Sequence, residues 1–188
     1  LELPHPRMTF RNFVLKPACQ VAGSFRHPVN GATLDELHRH LHSSPNYMAV
    51  TGPGSTVLVE RLAEQPGCQL ASGRPGYDDQ FPDRLEQALL LDPAGCVFSD
   101  GWVDELLCPP GDAASLASWS DQQELIPAAK IVVAIEPSRV DQQPAWHRIM
   151  ERPHGLPVLT LPEGDLDTQV EETLAAIAAA GHLPGAGP

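Results

Sequence analysis

Five short apolar runs, at residues 47–51, 67–71, 95–99, 130–135 and 157–161, recur along this chain with amphipathic stretches between them. The run from Lys130 to Ile135 is continuous and β-branched, as a strand covered on both faces requires. Helical spacing marks 34–41 instead. There Leu34, Leu37 and Leu41 form one stripe behind Thr33 and Glu36, a capping box. It also marks 56–63, with Val59, Leu62 and Ala63 on one face, and 81–91, with Leu85, Ala88 and Leu89 inward. A last helix is predicted over 165–180, where Val170, Leu174 and Ile177 oppose Glu171 and Glu172. Looser helices are predicted over 113–124 and over 140–152, the second broken near Pro144. Residues 10–17 alternate enough for one strand ending at Pro17. Strands alternating with helices predict an α/β fold of three layers. Its sheet is mostly parallel, with about five strands, behind a short N-terminal strand-helix appendage.

Composition narrows the picture. The chain has 188 residues, 42% of them hydrophobic, with no run approaching a membrane span. Its formal charge of −12 argues against nucleic acid and against anionic membrane surfaces as partners. Cys19, Cys68, Cys96 and Cys108 form no C-x-x-C pair, so reduced, mostly buried thiols are expected, and with them a cytoplasmic setting. Leu1-Glu-Leu-Pro-His shows no secretory signal, and a chain that does not start with Met is expected to be a fragment or a processed form.

The corner after the first run is the candidate phosphate site. Tyr47 to Thr51 reads as a strand, Gly52-Pro53-Gly54 breaks it, and a helix follows. Strand, glycine turn and helix in that order are where α/β proteins hold phosphates. A working loop reads G-x-x-x-x-G-K-[ST]. If Thr56 is the hydroxyl of that motif, the loop from Gly52 is three residues short, and Ser55 stands where the lysine belongs. Gly52, Gly54, Ser55 and Thr56 are the candidate cofactor-binding residues, either of an altered phosphate site or of a corner that only turns the chain. Gly95 to Asp100 reads as a second strand, ending in an acid that can hold Mg²⁺ or accept a substrate proton.

Leu3-Pro-His-Pro-Arg-Met8, with Arg11 and Phe13-Val-Leu-Lys-Pro17, resembles the closing segment of the hydroxymethyldihydropteridine pyrophosphokinases, a folate-pathway family. Val21-Ala22-Gly23 and His27-Pro-Val-Asn-Gly31 continue the likeness over about 35 residues. By that resemblance His5 and Arg11 match ATP-contacting positions, although the family's paired metal-binding aspartates have no counterpart here. In some bacteria this enzyme is fused to a deoxynucleoside-kinase-like domain. The stretch Leu41-x-x-x-Pro45-Asn-Tyr47, running into the glycine corner, looks like such a junction. Ser99-Asp100-Gly-Trp102-Val-Asp104 resembles the "S-D-x-W-x-D" segment of those kinases. The resemblance implies a P-loop nucleoside-kinase-like domain over 45–183, a pyrophosphokinase-derived segment over 1–44 and a disordered tail over 184–188. It also implies Asp100 and an arginine of the lid region as catalytic groups. Arg148 is the one nominated, with Arg139 and Arg152 beside it in sequence. Trp102 would wall a base.

The functional expectation is a degenerate nucleoside-kinase-like module of a folate-pathway fusion, with catalysis weak or lost and a binding or homodimer-forming role. The alternative is an active phosphotransferase using Thr56 and Asp100 with ATP and Mg²⁺ on a small-molecule nucleotide. His38, His40 and His42 recur near the end of the first predicted helix, and His38 and His42 share a face. They are half of the H-E-x-x-H geometry without its glutamate, and no metal site is expected there.

Overall fold

A computed structural model describes residues 5–73, 80–100, 126–139 and 155–181. Five strands form one sheet: β1 (Tyr47–Thr51), β2 (Cys68–Leu70), β3 (Cys96–Asp100), β4 (Ile131–Glu136) and β5 (Val158–Pro162). Every pairing is parallel, and the order across the sheet is β2-β3-β1-β4-β5. β1 is central, and all five of its residues are buried. Ala49 lies opposite Ser99 on one side and Val132 on the other. The chain leaves β1 for the β2 edge, returns to β3, then crosses to β4 on the far side of β1. That reversal places a switch point at the carboxyl end of β1, where open α/β sheets form a crevice.

The alternating side chains of the strands feed two cores. Met48, Val50, Phe98, Val133 and Leu161 point to one face, into a cluster with Leu58 and Leu62 of α3 (Ser55–Ala63) and Ile177 of α5 (Leu166–Ala179). Tyr47, Ala49, Val97 and Val132 point to the other, against Phe81, Leu85 and Ala88 of α4 (Phe81–Leu91). Helices on both faces of a parallel sheet give the three layers that the strand–helix alternation predicts. Each fully buried leucine contributes roughly 1.5–3 kcal/mol. All five strands, and the helices α3, α4 and α5, begin and end within one residue of the predicted runs. The helices predicted over 113–124 and 140–152 lie outside the described residues.

The N-terminal segment corrects one expectation. Residues 10–17 are not a strand: a 3-10 turn (Pro6–Phe10) runs into a helix, α1 (Asn12–Ala22), with Pro17 inside it. The apolar residues there do not keep a strict period of two, since Phe10 and Phe13 are three apart. A helix meets its own backbone hydrogen bonds and needs no neighbouring strand. Pro17 is exposed, so water can reach the carbonyl it leaves without a helical partner. Only Leu15 of α1 is buried, and it joins the same core as Leu34, Leu37 and Leu41 of α2 (Leu34–Ser43). The backbone N–H of Asp35 donates to Gly23 O at 3.0 Å, pinning the start of α2 to the end of α1. The appendage is therefore a helical pair that adds its leucines to the α3–α5 side of the sheet.

Candidate functional site at the carboxyl end of the sheet

The corner between β1 and α3 is tight. Gly52 has φ +101°, and a Cβ there would lie 2.2 Å from the carbonyl oxygen of Ile135 on β4. Only glycine fits both the angle and the gap. Gly54 follows with φ 78° and ψ 7°, and the N–H of Ser55 donates to Gly52 O at 3.2 Å. Proline at the second position, glycine in the left-handed region at the third and a bond from fourth to first define a type II turn. The helix then starts at once, with Leu58 N–H donating to Gly54 O at 3.0 Å. The first helical amide is spent on closing the turn, and Pro53 has none to offer.

Two nominated groups meet beside this turn. The Thr56 hydroxyl donates to Asp100 Oδ2 at 2.7 Å, across 44 residues of sequence. The sheet explains the meeting: β3 pairs with β1 so that Asp100 lies opposite Val50, one residue short of the strand's end. Below them the Tyr47 hydroxyl and Ser99 Oγ share a buried bond of 2.7 Å. Burial pushes the Tyr47 hydroxyl pKa well above its ordinary value, so Tyr47 stays a neutral strut.

Among the described residues this edge also carries Glu136, Glu163 and Arg139. Glu136 ends β4, and Glu163 follows β5. Glu163 Oε2 accepts from both the N–H and the hydroxyl of Ser138, at 2.7 and 2.6 Å. Those bonds, the hydroxyl first, hold the Glu163 carboxyl below its usual range, with Arg139 adding to the effect. The chain has only two lysines, Lys16 and Lys130. Lys16 belongs to α1. Lys130 donates its backbone N–H to Tyr47 O at the opposite end of β1, a strand length of roughly 16 Å away. No lysine can take the place that Ser55 occupies.

Gly52, Gly54, Ser55, Thr56 and Asp100 are thus brought together. His5 and Arg11 are not part of that group. They flank the 3-10 turn, which packs on β5 and is tied to α5 by Arg7 and Glu172 at 2.6 Å. β5 is two strands from β1, roughly 10 Å along the sheet. His5 Nδ1 accepts from Arg7 N–H at 3.1 Å and so caps its own turn. Arg148, Arg152 and Trp102 lie outside the described residues.

Sequence reasoning missed a polar group at the amino end of the sheet. The Lys130 side chain is buried and donates to Asn46 Oδ1 at 2.6 Å, with no acidic partner among the described residues. Burial lowers its pKa. Beside it the ring Nε2 of His40 is 2.9 Å from Ala129 O, and Ser44 Oγ is 3.1 Å from His40 Nδ1. A carbonyl can only accept, so His40 carries its proton on Nε2, and its Nδ1 accepts a hydrogen bond from the Ser44 hydroxyl. The available signal was a single lysine abutting a buried strand. Burial also raises the thiols of Cys68 and Cys96, to about 11 and about 12, which makes both inert at neutral pH.

Comparison of the chain with family models, with curated proteins and with solved structures gives no match.

Proposed function

We propose that this chain is a degenerate nucleoside-kinase-like module with a binding or dimerisation role, in which the phosphate-holding corner has been closed. The observation that carries this reading is the bond from Ser55 N–H to Gly52 O within a type II turn. A triphosphate needs a ring of outward N–H groups and a cation. Here the first helical amide is turned inward, proline removes another, and the surrounding edge presents Asp100, Glu136 and Glu163. Each missing charge-assisted bond costs about 1.5–3 kcal/mol, or roughly ten- to a hundredfold in affinity. Thr56 and Asp100 are a hydroxyl and a carboxylate of the kind that hold Mg²⁺ beside phosphate, but the closed turn does not fit the triphosphate that would share the ion. The likeness of the first 35 or so residues to the end of the pteridine pyrophosphokinases supports a place for the module in a folate-pathway fusion.

One observation favours a second reading. The Thr56–Asp100 bond of 2.7 Å pairs the two groups that an active phosphotransferase would use with ATP and Mg²⁺. Thermal unfolding at millimolar ATP and Mg²⁺ separates the two. The closed corner gives a melting temperature unchanged by the nucleotide. A rise of several degrees that disappears in Thr56→Ala or Asp100→Ala overturns that reading and favours the active enzyme.

A further inference from the structure

Helix α2 holds its outer face in a fixed orientation. Leu34, Leu37 and Leu41 are buried along its inner side. At its start the Thr33 hydroxyl accepts from Glu36 N–H at 3.2 Å, while Glu36 Oε2 accepts from Thr33 N–H at 2.7 Å. Near its end His40 is tied to Ala129 O. A helix held at both ends and along one side cannot roll.

On the outward face His38 and His42 stand one turn apart. One ring's Nε2–H donates to the other's Nε2 at 3.1 Å, and the rings meet edge to face with centroids 4.5 Å apart. Zinc bound tetrahedrally at ~2.0–2.1 Å sets two ligand nitrogens roughly 3.3–3.4 Å apart. The two nitrogens are therefore within a few tenths of an ångström of the chelating separation, and a bound cation would take the place of the shared proton, the donor ring then carrying its proton on Nδ1. We propose that His38 and His42 form a two-imidazole chelate for a borderline divalent cation of the zinc, nickel or copper class.

Imidazole nitrogen suits these ions and is a poor ligand for Mg²⁺ or Ca²⁺. Both rings must be neutral to bind. Burial first, then the neighbouring His42 and the Lys16 ammonium on α1, lower the pKa of His38, with Asp35 opposing. Arg39 occupies the place that glutamate holds in H-E-x-x-H, so the general base of that motif is missing. Among the described residues no group of three metal-ligating side chains forms, so water completes the coordination sphere. Such an open, two-ligand site is weaker than a closed structural one. It lies on α2 and does not depend on the fate of the glycine corner.

The test is calorimetric titration of the full chain with ZnCl₂ at neutral pH, with imidazole ¹H–¹⁵N spectra recorded in parallel. One equivalent of zinc should bind, moving the Nε2 resonances of His38 and His42, and MgCl₂ should give no heat. His38→Ala and His42→Ala should each weaken zinc at least about tenfold, because one imidazole cannot chelate. Both side chains are on the outward face, and circular dichroism confirms that each variant folds. Zinc affinity unchanged in both variants, shifts confined to other histidines, or no binding up to millimolar zinc would each overturn the proposal.

Discussion

The two ends of β1 use polar groups in opposite ways. At its start, Lys130, Asn46 and His40 are drawn into partly or fully buried bonds that tie α2, β1 and β4 together. At its end, Thr56 and Asp100 bond to each other in the open, beside a turn that satisfies itself. Buried polar groups are costly to disturb, whereas exposed ones trade partners with water at little cost. Stability therefore resides at the amino end of the sheet, and any exchange with a solute belongs to the carboxyl end. Gly52 is the exception, because its backbone is pressed against β4.

That exception supplies the largest expected effect. Gly52→Ala places a methyl group 2.2 Å from Ile135 O at a φ of +101°. Strain and overpacking together should cost about 3 kcal/mol or more, read as a lower urea midpoint. A variant as stable as the parent would mean that the corner is loose, and the contrast between the two ends would fail.

An intermediate effect is expected at the start of β1. Burial, the largest influence, lowers the pKa of His40, and Lys130 adds to it, while hydrogen bonds from the ring to Ala129 and Lys130 oppose. Above about pH 6.5 the ring is neutral folded or unfolded, and the full stability is present. As pH falls below that value the unfolded chain takes the proton first, so stability is lost progressively down through the folded pKa. His27, also lowered by burial, acts in the same direction. Urea midpoints measured from pH 7.5 to 5.5 should fall in the parent and fall less in His40→Gln, which keeps an amide N–H for Ala129. Equal slopes would place the acid sensitivity elsewhere.

The smallest effect belongs to the exposed pair. Thr56→Val keeps the shape and removes the bond to Asp100, and should change stability by less than about 1 kcal/mol. A loss above about 2 kcal/mol would show that this end, too, is structural.

Much of this architecture was legible because strands and helices announce themselves by period. Val132 and Val133, covered on opposite faces, sit in an unbroken apolar run, while Leu34, Leu37 and Leu41 keep helical spacing. The meeting of Thr56 with Asp100 was legible for a related reason: Asp100 ends one strand and Thr56 follows the carboxyl end of its parallel neighbour. The helix over Asn12–Ala22 was not, because Phe10 to Pro17 alternates loosely up to a proline, and the helix buries only Leu15, in the core it shares with α2. Nor was the role of Lys130. Its burial depends on which strand becomes the neighbour of β1, and strand order is set by long-range contacts that no local window contains. The closing of the glycine corner lies between these cases. The missing residues and lysine were visible in the sequence, but the inward bond of Ser55 required the backbone.

The way the sheet finishes at its two rims also bears on behaviour in concentrated solution. Among the described residues β2 is a ladder of three residues, and β5 ends on Pro162, which cannot donate an N–H. A long, flat rim is what recruits foreign strands into aggregates. With the most apolar strands, β1 and β4, kept inside and the rims short or proline-ended, the molecule gives an approaching strand little to extend.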